Sequence, residues 1–382
     1  MSNKINNSKV FSLFFGVWIF FRTVGNIDLF TSLHLNLVGT LSKFCLILLG
    51  IYIIIFSRKT VSVWGIILIY LPVLIATFIT SKSIDFFFTI FIVLVSSHLD
   101  IDTIYKGFLR GILIGIIFVL LLFVLGILPD IIQVRLGSVR HSFGFSLPLI
   151  PPALFFSTVC AFLYLYRKSY TWKSLVIIFI IQIPIYLYCD GRGPFILTCG
   201  VLLGAMIIRY FHKDSIDSIL FILGIVSLLL VLLFSIYIAR YYNGSNTKWY
   251  TLNQILTGRP QWWNLYWNMY TPKLFGQELI RIGGAAVLEN SSVNMMILDN
   301  GYLSILLEYG IIALFLFLFL IIFGLINLWK RRDTMGLLIL IVWIFYGLVS
   351  NQIYFIDRNV GLILIANFIS FRTSWQGEYI YG

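Results

Sequence analysis

Six residues between positions 135 and 299 have the chemistry to hold an anion and move a proton: Arg135, Arg140, His141, Arg192, Arg259 and Asp299. A guanidinium presents a planar fork that matches two phosphate oxygens at once, so arginines near a membrane surface point to phosphate or pyrophosphate. Arg259 opens the stretch RPQWWNLYWNMY. Pro260 suits the first turn of a helix, where its missing N–H costs nothing, and the free N–H groups there favour an anion. Arg192 stands in CDGRGPF, between two glycines and before Pro194. It reads either as a snorkelling residue on a tight turn or as a guanidinium pinned where a lipid phosphate sits. Arg135 and Arg140 lie five apart in a glycine-containing loop; they either join that anion site or tether the loop to anionic headgroups. For the proton there are two candidates. His141 can exchange one or simply hydrogen-bond within its loop. Asp299 can act as a general base or cap the helix that follows. Glu308, nine residues further on, reads as a network residue inside an apolar run.

The elements that must position these groups are membrane helices. Hydrophobic residues make up 60% of the 382, charged residues 11%, and mean hydropathy is +0.98. That composition excludes a soluble domain and implies an all-α polytopic membrane protein. Twelve spans are expected near 10–27, 37–56, 61–79, 84–97, 108–128, 147–166, 174–189, 194–210, 216–239, 301–328, 335–351 and 359–371. The first has no small-residue cleavage site after it and reads as a retained span. Three regions follow: a membrane bundle over 1–239, a polar loop with an amphipathic helix over 240–299, and a second bundle with a tail over 300–382.

With both termini cytoplasmic, short cytoplasmic segments hold 15 basic residues, and the opposite face holds 12, five of them in the long loop. Short loops obey the positive-inside rule and long ones are largely exempt. The cytoplasmic set is 7 Arg to 8 Lys and the external set 8 Arg to 4 Lys, which again directs anion chemistry to the outer face. Within the loop, Trp262, Tyr266 and Tyr270 recur at four-residue spacing beside Trp263 and Trp267. Such a face either anchors the helix at headgroup depth or stacks on sugar rings. The four cysteines show no disulfide or ligand spacing, and there is no Walker motif, dinucleotide fingerprint or metal cluster, so neither metal nor cofactor is expected. Basic residues punctuate span ends and form no stripe, which argues against nucleic acid despite the +12 charge.

RHSFGF at 140–145, GRG at 191–193, LTGRPQWWNLYW at 256–267, LFGQ at 274–277 and LDNGYLSILLEYG at 298–310 together resemble the O-antigen and capsular polysaccharide polymerase family, which also contains the O-antigen ligases. The resemblance in general architecture covers almost the whole chain, whereas the motifs occupy about a seventh of it. It implies a metal-independent glycosyltransferase of the membrane-embedded C class in a bacterial plasma membrane. Its substrates would be an undecaprenyl-pyrophosphate-linked repeat unit and the growing glycan, with membrane lipids, a chain-length regulator and a flippase as partners. By position, Arg140, Arg192 and Arg259 match the family's arginines, and Asn300 and Tyr302 match residues of its H-N-x-Y-L segment. Asp299 replaces that segment's histidine, which favours a polymerase over a ligase. Ser146-Leu147-Pro148 departs from the family's H-P-N. The resemblance leaves two other readings, a ligase delivering the chain to a different acceptor and a transporter of lipid-linked polysaccharide.

Overall fold

In lipid a backbone has no hydrogen-bond partner but itself, so long apolar runs become helix. The computed structural model describes residues 2–27, 36–56, 61–97, 99–135, 137–210, 215–282 and 296–366, with side chains except at 2–6, 36–38, 56, 61–67 and 135. The main helices are α1 (Ser2–Val24), α2 (Asn36–Phe56), α3 (Val61–Ser81), α4 (Asp85–Ser96), α5 (Ile101–Val124), α6 (Ile150–Leu165), α7 (Trp172–Cys189), α8 (Arg192–Tyr210) and α9 (Ser215–Tyr241). Then come α10 (Thr247–Ile255), α11 (Arg259–Met269), the single turn α12 (Gly301–Ser304), α13 (Ile311–Lys330), α14 (Thr334–Val349) and the short α15 (Leu362–Ile365). One small ribbon interrupts the series: β1 (Gln133–Arg135) pairs antiparallel with β2 (Ser138–Arg140).

Among the described residues, α5, α7, α8, α9 and α13 are long and apolar enough to cross a membrane, and five further apolar helices are shorter. The chain is therefore an all-α membrane protein. Its outward faces are oily, as on α7, where Ile177, Ile180 and Leu187 are each more than half exposed.

Four expected spans differ in extent, the first by starting at Ser2 rather than near residue 10. The fifth begins at Ile101, because Asp100 accepts a hydrogen bond from the Thr103 N–H at 2.9 Å and so caps the helix earlier than hydropathy suggests. The twelfth shows four helical residues, Leu362–Ile365, after a turn at 360–361, and 367–371 lie outside the described residues. The tenth is not continuous. After α12 a π turn spans Ile305–Tyr309, and Gly310 at φ +97° breaks the axis before α13. The loop segment 273–277 closes the break. The carbonyls of Lys273 and Leu274 accept from Ile311 N and Ile312 N, and Gln277 N donates to the Glu308 carbonyl at 2.9 Å. Helix starts leave such N–H groups without partners, so the LFGQ stretch supplies what α13 lacks.

Packing between α1 and α5 rests on small residues. Gly107, Gly111 and Gly115 recur every fourth residue on α5, and an added Cβ at Gly107 or Gly111 would lie within 2.5 Å of the α1 backbone carbonyls of Ser12 and Gly16. Dispersion between close backbones replaces the hydrophobic drive that lipid cannot provide. Elsewhere α9 packs against α14 and α11, and α14 against α8, which gathers three inter-helix segments at one end of the bundle.

Candidate functional site

Each arginine of the site is held by a tight backbone feature next to it. Arg192 starts α8 two residues after Asp190, which adopts φ +47°. Arg259 starts α11 after Thr257 and Gly258, both left-handed, at φ +55° and +83°. That turn is stitched by Gly258 N donating to the Asn253 carbonyl at 2.8 Å and by Gln261 N donating to Asn253 Oδ1 at 3.2 Å. Arg140 ends β2 immediately before the segment His141–Phe143, in which Phe143 adopts φ +52°. Non-glycine residues persist in this region only where the surrounding structure over-determines them, and such positions gather at functional sites.

The three guanidinium groups converge. A cavity of about 90 Å³ is lined by Arg140, Asp190, Arg192, Thr257, Arg259 and Asp299, together with Tyr346, Val349, Ser350, Asn351 and Gln352. Arg140 is buried, with its Nε donating to the Cys189 carbonyl at 2.9 Å. Burial pushes its guanidinium below the usual arginine value; Asp190 opposes this, and the nearby charges of Arg192 and Arg259 add to it. Arg192 is half exposed and donates through Nε to Asp190 Oδ1 at 3.0 Å. Arg259 donates through Nη1 to Thr257 Oγ1 at 2.6 Å, and its Nη2 stands 4.0 Å from Asp299 Oδ2. Three arginines facing two aspartates leave a small, partly desolvated volume with excess positive charge, which is a setting for a multivalent anion.

Asp299 does not cap the following helix. Asn300 does, its Oδ1 accepting from Leu303 N at 3.0 Å, and this leaves the Asp299 carboxylate on the cavity wall.

Other expected contacts are corrected. His141 lies off the cavity: it follows the end of β2, its backbone N–H donates to the Tyr188 carbonyl at 2.8 Å and its ring turns to Asp130, whereas Arg140 lines the cavity. Its Nδ1 sits 2.5 Å from Asp130 Oδ2, while Asp130 Oδ1 accepts from Ser142 N and Phe143 N at 2.8 and 3.1 Å. Asn300 is fully buried and donates to Ser235 Oγ, so it holds α12 to α9 and reaches no ligand. Tyr302 is likewise buried, its hydroxyl donating to the Ile344 carbonyl at 2.9 Å. Trp263 and Tyr266 are fully buried against Ile238, Ala239, Leu298, Leu303 and Leu307. They seat α11 on the end of α9 and touch neither solvent nor lipid headgroups. Trp262 and Trp267 are half-buried, and neither lines the cavity. Arg135 contributes its backbone to β1, and its side chain lies outside the described residues. Glu308 is the network residue expected, with its Oε2 2.6 Å from Arg281 Nη2.

Four polar cavity residues escaped sequence reading: Tyr346, Ser350, Asn351 and Gln352. They follow a long apolar run, and no local spacing marks them. An apolar groove of about 800 Å³ runs along the other side of the same helix, lined by Leu230, Phe234, Tyr237, Phe345 and Leu348, with Arg240 at one end.

The Asp130 knot has a pH signature. Burial works against its carboxylate, but the His141 hydrogen bond and the two backbone N–H groups outweigh it and hold the carboxyl below its ordinary range. A depressed carboxylate contributes stability above its unfolded value and loses it as pH falls through the lower folded value. Thermal unfolding in detergent should therefore fall in wild type as pH drops from roughly 5 to 3. Asp130→Asn should start lower at neutral pH and show a flatter curve. A wild-type curve no steeper than the variant's would remove this role.

No protein-family model, no curated protein and no solved structure matches this chain.

Proposed function

We propose that the chain polymerises glycan repeat units carried on undecaprenyl pyrophosphate, at the outer face of a bacterial plasma membrane, across twelve spans of a membrane-embedded C-class glycosyltransferase fold. The observation that carries this reading is the convergence of Arg140, Arg192 and Arg259, from three separate inter-helix segments, on one cavity that also holds Asp299. The lipid pyrophosphate of the growing chain lies among the guanidinium groups, which stabilise charge as it departs. A hydroxyl oxygen of the incoming lipid-linked unit bonds to the anomeric carbon, and the bond from that carbon to the pyrophosphate oxygen breaks. The hydroxyl proton passes to Asp299, and undecaprenyl pyrophosphate leaves with the bonding pair. The leaving group is already activated, so these side chains suffice for the transfer. The apolar groove along α9 and α14 takes the isoprenoid tail, since Phe345 and Leu348 face it while Tyr346 and Val349 line the cavity.

The test is polymerisation by purified protein in liposomes fed lipid-linked repeat units from the same organism. A ladder of longer lipid-linked glycans supports the polymerase. Transfer to another acceptor without a ladder would move the activity to a ligase, and flux of intact lipid-linked glycan without cleavage would make the chain a transporter.

A further inference from the structure

One part of the cavity lining differs in character from the arginines. Ser350, Asn351 and Gln352 are neutral and polar, and they come from a 3-10 turn, Asn351–Tyr354, that directly follows α14. The turn divides its residues sharply. Ile353 and Tyr354 are buried, the latter against Tyr309 with ring centroids 5.6 Å apart, whereas Asn351 and Gln352 are half-exposed at the cavity. Ser350 caps the turn, its Oγ accepting from Gln352 N at 3.2 Å. Gln352 Oε1 in turn accepts from the Tyr346 hydroxyl at 3.3 Å, which leaves its amide nitrogen as the group to be used. The Asn351 side chain makes no hydrogen bond to any described residue. A rigid turn that presents one unengaged amide and one oriented amide donor to a cavity is suited to an uncharged ligand rich in hydroxyl groups, because an amide both donates and accepts. It is poorly suited to a second phosphate.

We infer that Asn351 and Gln352 form a sugar-reading subsite that hydrogen-bonds the ring hydroxyls of the sugar attached to the pyrophosphate. The inference rests on the pyrophosphate reading of the arginine wall and adds to it. It gives the cavity two functions, with charge holding the carrier and neutral amides selecting the sugar whose anomeric carbon reacts. Discrimination by hydroxyl recognition is strong when the site's polar groups are left unpaired by a wrong ligand. Gln352 is prepared for that by its bond to Tyr346.

Binding of two probes to the full-length protein in detergent separates the possibilities. One probe is bare undecaprenyl pyrophosphate, and the other is the same carrier bearing the organism's repeat unit. Wild type should bind the glycosylated carrier more tightly. Asn351→Ala should weaken that binding by about tenfold and leave the bare carrier within about twofold, the scale of one or two lost hydrogen bonds. Gln352→Ala should act in the same direction. Equal weakening toward both probes, no weakening toward either, or a wild type that does not distinguish them would each overturn the sugar subsite. A wild type that binds neither probe would instead remove the pyrophosphate reading. Unfolding temperatures of the variants should match wild type, since neither side chain is part of the buried core; a fall would place the residues in the fold and count against the subsite.

Discussion

Arg259→Ala is expected to lower the rate of glycan extension by about 10²–10³-fold, the usual cost of removing one preorganised group that stabilises developing charge. The guanidinium is mostly buried, bonds Thr257 Oγ1 at 2.6 Å and stands 4.0 Å from Asp299. The substitution therefore takes away an anion ligand and the positive neighbour of the carboxylate together. Arg259→Lys keeps the charge and loses the planar fork, so it should recover only part of the rate. The measurement is single-turnover extension in liposomes, with unfolding temperature recorded for each variant. A normal rate in folded Arg259→Ala would leave the enzyme reading intact and discard this description of its leaving-group site.

Gly276→Ala should be among the most damaging single substitutions for stability, at about 3 kcal/mol or more, from left-handed strain and overpacking combined. Gly276 adopts φ +83°, and a Cβ there would sit 2.0 Å from the Glu308 carbonyl oxygen. The contact is backbone to backbone, so no side chain can swing aside. Relief requires the segment 273–277 to lift off, which strips Ile311 N and Ile312 N of their acceptors at the start of α13. Gly200→Ala is the matching control, because a Cβ at Gly200 on α8 meets nothing within 4 Å. Thermal unfolding in detergent should show a large fall for the first and little change or a slight gain for the second. Equal behaviour of the two would mean that the loop clamp does not hold the break.

Much of the arginine wall was legible because each arginine sits in a turn-forming stretch between apolar runs, and such stretches mark the surface. CDGRGPF and LTGRPQ announce their turns through glycine and proline. Asp299 was legible for the same reason. The direction a side chain takes was not. Arg140 and His141 are neighbours of similar polarity, and only the tertiary partners, the Cys189 carbonyl for one and Asp130 for the other, separate the cavity residue from its neighbour. The tryptophan and tyrosine periodicity of α11 correctly indicates a helix face. Spacing alone does not say whether that face meets lipid, sugar or protein, and burial of Trp263 and Tyr266 against the end of α9 decides for protein. The break at Gly310 was hidden because hydropathy is blind to a single left-handed residue in an oily run. Asn351 and Gln352 depend wholly on tertiary proximity, more than ninety residues from Arg259.

The cavity draws its lining from Arg140 at one extreme to Gln352 at the other, more than two hundred residues apart along the chain. A chain enters the membrane from its N-terminus as it is synthesised. While the ribosome is still extending it, the first two arginines stand in the bilayer without the carboxylate, and the carboxylate later stands without the neutral wall. A halted or prematurely terminated product therefore lacks the assembled pair of walls, however well its early helices insert. Completion of the cavity therefore depends on α14 docking against α8 and α9.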